Sequence, residues 1–174
     1  KAVREFNTST QKLTSLTFPL ADDVNVAALA SYETRVYIAD IKGNTIFRTT
    51  RAGSAFSTPA EWLKDDTSID GAKSMIVDGN IYLLKGNGEV VKFFQGVRQA
   101  WSLASVDPAL TRADAIWSST SSEQLYIVDR QGKRVVEYSK EGALLNQYTS
   151  PAFGDIRGIT VDTADKKLYL LNGA

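Results

Sequence analysis

Apolar and polar residues alternate along this chain in short segments, and one kind of segment recurs four times. Each copy has an apolar residue, a tyrosine and two further apolar residues, followed by a polar turn. The copies are RVYIADIKGNTIFRTT from Arg35, NIYLLKGNGEVVKFF from Asn80, QLYIVDRQGKRVVEYS from Gln124 and KLYLLNGA from Lys167. Alternation with a period of two, bounded by Gly, Asp and Asn, predicts β-hairpins. No segment has the length and periodicity of an amphipathic helix, so the pattern predicts an all-β chain.

The tyrosines of the four copies are almost evenly spaced. Tyr37, Tyr82, Tyr126 and Tyr169 are 45, 44 and 43 residues apart. A period near 44 is typical of the blades of a β-propeller, each of which is a four-stranded antiparallel meander. Because the tyrosines recur in register with every blade, we expect them to pack between neighbouring blades.

The two ends of the sequence each contain half of a blade. AVREFN and KLTSLTF near the start predict a third and an outer strand, whereas IRGITVD and KKLYLLN near the end predict an inner and a second strand. Counting from Tyr169 across the two ends to Tyr37 gives 42 residues, which continues the period. The sequence therefore predicts one domain over 1–174, a propeller of about four blades whose last blade is shared between 1–20 and 154–174. Such a closed ring has no bare sheet edge and is expected to be a monomer.

Two stretches carry a resemblance to a known family. LYIVDRQGKRVVEYSKEG from Leu125 and GITVDTADKKLYLLN from Gly158 resemble NHL-repeat propellers, in which a VD…LYV.D pair precedes an Asn/Gly turn, an arginine and an aromatic strand end. The resemblance covers most of the chain, although Lys85 and Ala30 stand where the family usually has Asp. It implies a propeller fold. Since rings of this family usually have six blades, a second hypothesis is an arc of a six-bladed ring, whose two bare edges should lead to dimers or aggregates.

Composition excludes several classes of function. Twenty basic and twenty acidic residues cancel, and no apolar segment approaches the roughly 20 residues that span a bilayer. We therefore expect neither nucleic acid as a partner nor contact of this segment with a membrane.

The absence of His and Cys removes Ser-His-Asp catalysis, Cys nucleophiles and the His metal sites of the amidating lyases that share the NHL-like fold. No calcium loop or phosphate-binding glycine loop occurs, so no catalytic residue, metal or cofactor is predicted.

Three aspartates recur beside the predicted turns. Asp40 and Asp129 end their second strands, and Asp162 ends an inner strand. A short carboxylate in such a place accepts backbone N–H bonds and fixes the turn. We therefore expect a structural role for these three residues.

The predicted ligand site lies on the inner strands, which line the channel of a propeller. Aligning these strands on GITVD gives one equivalent residue in each blade, and these are Asn25, Lys73, Asp114 and Arg157. Two cations and one anion favour a ligand with carboxylate or sulfate groups. A hydrated channel lining is the other interpretation. Trp62 and Trp101, in predicted outer strands, are alternative contacts for sugars or peptides, and core packing is their other role.

The function predicted from the sequence is recognition rather than catalysis. The chain is interpreted as a sensor or adhesion domain of a larger bacterial protein that binds a peptide, a protein or a glycan. Serine- and threonine-rich loops such as SSTSSE from Ser118, together with the lack of Cys, are compatible with an extracytoplasmic setting but leave the compartment open. The second hypothesis is a lyase or hydrolase that uses carboxylates or a divalent metal ion at the channel face.

Overall fold

The structure is a computed structural model that describes residues 3–16, 20, 23–53 and 55–173. The described residues form β-strands joined by turns and loops. In chain order the strands are β1 (Val3–Asn7), β2 (Lys12–Leu16), β3 (Val26–Tyr32), β4 (Arg35–Asp40), β5 (Thr45–Ala52), β6 (Ala55–Phe56), β7 (Ala60–Glu61), β8 (Ala72–Val77), β9 (Ile81–Lys85), β10 (Val90–Phe94), β11 (Val97–Arg98), β12 (Ala113–Trp117), β13 (Gln124–Asp129), β14 (Arg134–Ser139), β15 (Leu144–Thr149), β16 (Ile156–Asp162) and β17 (Lys167–Asn172).

Within the described ranges the strands pair antiparallel and form five sheets. The first sheet has β3, β4 and β5 in order, with the short strands β6 and β7 both paired to β5. The second sheet contains β8 to β11 and the third contains β12 to β15, each as a four-stranded meander. We call β1–β2 the N-terminal hairpin and β16–β17 the C-terminal hairpin. The prediction of an all-β chain built from four-stranded antiparallel meanders is confirmed for the second and third sheets.

The sheets stand side by side through their first strands. β3 contacts β8, β8 contacts β12, and β12 contacts β16. Apolar clusters fill the three spaces between successive sheets. Tyr37 contributes to the first cluster, Tyr82 to the second and Tyr126 to the third, and all three side chains are buried. The fourth repeat tyrosine, Tyr169 on β17, is instead 54% exposed.

Glycines in two turns bring neighbouring sheets into close contact. Gly96, between β10 and β11, and Gly142, between β14 and β15, both have a φ near +90°, a conformation that L side chains rarely adopt. A Cβ on Gly96 would lie 2.2 Å from the carbonyl oxygen of Trp62, and a Cβ on Gly142 would lie 2.2 Å from that of Ser102. Each glycine therefore lets the turn of one sheet approach the backbone that leaves the preceding sheet.

The shared last blade is not shown in the structure. Among the described residues β1 pairs only with β2 and β17 pairs only with β16, so the two hairpins form separate two-stranded sheets. Tyr169 lies on a face of β17 that no further sheet covers among the described residues. The proposed boundaries 1–20 and 154–174 also include residues 1, 2, 17–19 and 174, which lie outside the described residues.

Candidate functional site

Each of the four inner strands has one extra residue near its start. The pairing register shifts between Val26 and Ala28 in β3, and at the corresponding point in β8, β12 and β16. Such a β-bulge leaves one residue unpaired and redirects its side chain. The bulged residues are Ala27, Lys73, Asp114 and Arg157. Lys73, Asp114 and Arg157 therefore occupy equivalent positions.

Asn25 does not occupy the fourth equivalent position. It precedes β3, and its backbone N–H donates to Oδ1 of Asp40 over 2.8 Å. The register shows why the sequence alignment was displaced by two residues in this repeat. Tyr37 lies opposite Ala30, just as Tyr169 lies opposite Thr160. The sequence alignment used an Asp at the end of the inner strand, and this repeat lacks it. Aligning the inner strands on the tyrosine of the strand that each pairs with gives Ala27 as the equivalent residue.

Asp114 and Arg157 belong to one network of five charged side chains. Arg157 Nε donates to Oδ2 of Asp155 over 2.7 Å, and Arg130 donates through Nε to Oδ1 of the same carboxylate. Arg130 Nη1 also lies 3.3 Å from Oδ2 of Asp114, and Arg112 Nε lies 3.8 Å from that oxygen. We call these residues (Arg112, Asp114, Arg130, Asp155 and Arg157) the arginine cluster. It joins the third sheet to the C-terminal hairpin.

The arginine cluster has an excess of one positive charge. Hydrogen bonds from Arg130 and then Arg157 lower the pKa of Asp155 below its ordinary value, and Asp155 in turn raises the pKa of Arg130. The carboxylates of Asp114 and Asp155 therefore pair with arginines of the cluster itself. The side chains of Arg112 and Arg157 remain 56% and 51% exposed, so part of each guanidinium is available to an anion.

Sequence analysis missed three members of the cluster. Arg112 directly precedes β12, Arg130 follows β13, and Asp155 precedes β16. All three lie in connecting segments next to strand ends, and the alignment covered only positions within the inner strands. A search for charged residues flanking those strands would have found Arg112 and Asp155.

Lys73 lies on β8 of the second sheet and is not a member of the arginine cluster. Its side chain runs over Gly86 in the turn between β9 and β10, where Cε would be 3.2 Å from an added Cβ. No ion pair joins Lys73 to another residue within the part of the chain that the structure describes. The structure thus brings together Asp114 and Arg157, and it leaves Lys73 as a separate cation on the neighbouring sheet.

The two tryptophans proposed as alternative contacts take part in packing. Trp62 is buried, with its ring 5.7 Å from that of Tyr37 and 6.4 Å from that of Phe93. Trp101 is half-buried; its ring lies 5.6 Å from that of Tyr82, and its Nε1–H donates to the carbonyl oxygen of Lys140. Both rings therefore contact the repeat tyrosines between sheets.

The three recurrent aspartates bind turn backbones. Besides Asn25, Asp40 accepts a hydrogen bond from the N–H of Lys42 over 3.1 Å. Asp162 accepts the N–H groups of the two turn residues 164 and 165, each over 3.0 Å. Asp129 accepts the N–H of Gly132 and also pairs with the buried guanidinium of Arg134. Each carboxylate thus fixes the turn that follows it.

The described residues contain neither a metal-binding group nor a membrane-spanning helix. No group of three or more Asp or Glu side chains there is arranged to hold a metal ion. No helix in the same ranges is long and apolar enough to cross a membrane.

Comparison with solved structures identifies the class of fold. The chain is similar to virginiamycin B lyase from Staphylococcus aureus, with a TM-score of 0.68 and 13% identity over 98% of this chain and 56% of that one. It is also similar to a chain of a nidogen/laminin complex (TM-score 0.68, 18% identity, 95% of this chain, 62% of that one). A third similar structure is YCF48 bound to D1 peptide (TM-score 0.63, 13% identity, 99% of this chain, 55% of that one).

These comparisons establish an NHL-like β-propeller fold, as the sequence resemblance predicted. No family model matches the chain, and no curated protein is similar to it. The chain spans little more than half the length of the solved propellers that it matches.

Proposed function

We propose that the chain is a non-catalytic recognition module that binds a carboxylate or sulfate group of a peptide, a protein or a glycan at the arginine cluster. The observation that carries this proposal is the pair of half-exposed arginines, Arg112 and Arg157, held by two carboxylates on adjacent sheets. An oriented guanidinium can grip an oxyanion through two N–H groups, and its partners keep it in place before the ligand arrives.

The bulged positions support a role in specificity. The residue that precedes each bulge is apolar in every inner strand, whereas the bulged residue is Ala27, Lys73, Asp114 or Arg157. Positions that share geometry but differ in chemistry can select a ligand, because they are not needed to hold the sheets together. Lys73 would extend the cationic surface to the second sheet.

Structures with a similar fold support binding as the class of function. A nidogen/laminin complex and YCF48 bound to D1 peptide are both protein–partner structures. We propose that this chain likewise recognises a partner, as a sensor or adhesion segment of a larger bacterial protein in an extracytoplasmic setting.

This chain contains no histidine that could take part in catalysis of the kind found in the matched lyases. A catalytically inactive form of the Staphylococcus aureus lyase carries a histidine-to-alanine substitution, and the 174 residues of this chain contain no histidine. This difference favours recognition over a histidine-dependent reaction within this segment.

A ligand screen followed by substitution tests the proposal. Peptide and glycan arrays that include carboxylated and sulfated members should yield a ligand whose affinity falls with added salt. The double substitution Lys73→Ala and Arg157→Ala should weaken binding by at least about 100-fold, while the melting temperature hardly changes because both side chains are largely outside the core.

A matched control separates the cluster from general surface charge. Arg98→Ala removes a similarly exposed arginine from β11, outside the arginine cluster, and should leave the affinity unchanged. Arg157→Lys keeps the charge but loses the forked geometry, so it should weaken binding partially. An affinity that ignores both Lys73 and Arg157 would contradict the proposal.

A further inference from the structure

A cleft of about 420 Å³ lies between the first and second sheets. It adjoins the turns that end the inner strands, since Tyr32 is the last residue of β3 and Gly79 lies between β8 and β9. The arginine cluster instead includes Arg112 and Asp155, which directly precede inner strands. The cleft is therefore at the opposite end of the inner strands from the arginine cluster.

Two buried residues of the cleft carry hydrogen-bond donors without a partner. Tyr37 and Trp62 line the cleft and are only 6% and 8% exposed. Within the described ranges, neither the hydroxyl of Tyr37 nor the indole Nε1–H of Trp62 forms a hydrogen bond. Because the fully enclosed polar side-chain atoms of those ranges all have partners, these two groups reach the accessible space of the cleft. Unpartnered donors on such buried residues are uncommon and suit a bound acceptor.

The third sheet shows which group binds donors in this position. The pairing register makes Tyr126 the equivalent of Tyr37, and Tyr148 the equivalent of Trp62. The two hydroxyl groups of the third sheet donate to the two carboxylate oxygens of Glu137, over 3.0 and 2.7 Å. The equivalent donors of the first sheet therefore face a position that a carboxylate occupies in the third.

The first sheet has a cation where the third has this carboxylate. Arg48 lies opposite Tyr37 in the register, just as Glu137 lies opposite Tyr126. Neither Arg48 nor Lys64 forms an ion pair within the part of the chain that the structure describes. The charged residues that line the cleft are three cations and one carboxylate, namely Arg35, Arg48, Lys64 and Glu61. Their excess of positive charge favours an anion.

The corresponding space between the second and third sheets is closed by the protein itself. Trp101 donates its Nε1–H to the carbonyl oxygen of Lys140, and Nζ of Lys140 lies 2.6 Å from Oδ2 of Asp78. The register places Gln95 and Tyr32 where this ion pair has Lys140 and Asp78. The first space therefore lacks the two charges that close the second, and it stays open.

We propose that this cleft binds the carboxylate of a glutamate or aspartate side chain from a partner peptide. The carboxylate takes the position that Glu137 has in the third sheet, accepts hydrogen bonds from Tyr37 and Trp62, and pairs with Arg48. Hydrogen bonds to an ionised acceptor are shorter and stronger than those between neutral groups. An acidic side chain is the favoured source because the protein uses one on the equivalent donors. This site is independent of the ligand proposed for the arginine cluster.

Indole signals in a proton–nitrogen correlation spectrum test the proposal. Titration with blocked glutamate (N-acetylglutamate N-methylamide) should shift the Nε1–H signal of Trp62 to saturation, with a dissociation constant below about 10 mM. The signal of Trp101, whose N–H is already bonded to Lys140, should stay in place. Blocked glutamine has the same shape without the charge and should cause no shift. Trp62→Phe assigns the signal.

Substitutions of Arg48 test the comparison with the third sheet. Arg48→Glu supplies the carboxylate that the third sheet has, so it should fill the site and abolish binding without lowering the melting temperature. Arg48→Met keeps an unbranched side chain but removes the charge, and it should weaken binding at least about tenfold. Arg98→Ala and Arg157→Ala remove exposed arginines outside the cleft and should leave binding unchanged. The second of these controls separates the cleft from the arginine cluster.

Three results would overturn the proposal. They are a Trp62 signal that does not move, a shift that persists in Arg48→Glu, and an equal shift with blocked glutamine. Glucuronate that binds more tightly than blocked glutamate would overturn the assignment to a peptide side chain. Thermal unfolding of every variant confirms that a loss of binding is not a loss of fold.

Discussion

The tyrosine that recurs in every repeat is buried in three repeats and exposed in the fourth. Tyr37, Tyr82 and Tyr126 are buried because a following sheet packs against them, whereas Tyr169 has the same register and no following sheet among the described residues. The spacing of the tyrosines was readable from the sequence because every repeat keeps it. Their burial was not, since it depends on whether another sheet is present.

Removing the tyrosine ring should lower the free energy of unfolding substantially only where another sheet covers the ring. Tyr126 packs beside Trp117 and donates its hydroxyl to Glu137 over 3.0 Å, so Tyr126→Ala should lower the free energy of unfolding by about 3–5 kcal/mol. Tyr169→Ala, measured at a concentration where the chain is monomeric, should lower it by less than about 1 kcal/mol. Urea unfolding measures both. Equal losses would show that Tyr169 is covered within one chain.

At the scale of elements, strands and meanders follow from the sequence, but the exact register does not. Alternating residues and polar turns predicted β8, β12 and β16 and placed Lys73, Asp114 and Arg157 at one geometric position. In the first repeat Ala30 replaces the Asp used for alignment, and Asn25 was chosen where the structure has Ala27. The arginine cluster could not be assembled from strands alone, because Arg130 and Asp155 come from turns whose paths are set by tertiary packing.

The turn between β14 and β15 should be sensitive to a single added methyl group. A Cβ on Gly142 would lie 2.2 Å from the carbonyl oxygen of Ser102, so Gly142→Ala should lower the free energy of unfolding by about 3 kcal/mol. Gly53 has φ +63° with no atom within 4 Å of its added Cβ, so Gly53→Ala should cost only the backbone strain of about 1–2 kcal/mol. Thermal unfolding of both variants makes the comparison. A loss at Gly142 no larger than at Gly53 would mean that the turn moves away easily.

At the scale of the whole molecule, periodicity predicts that the hairpins at the two ends are complementary halves of one blade. It does not say whether the two halves meet, because the 42-residue interval records the spacing of residues and not the path of the chain. Strand pairing and side-chain burial carry that information. The exposed faces of Val26 and Tyr169 show that the complementary halves do not meet within the described structure.

Hydrogen exchange should reveal this difference as a gradient of protection along the chain. The paired amides of Ile127, Val128 and Val136 lie in the fully buried centre of the third sheet and should exchange most slowly. The amides of β1 and β17 should exchange fastest, since among the described residues each hairpin is a separate two-stranded sheet. Protection of both ends as strong as that of the third sheet would instead mean that each chain closes on itself.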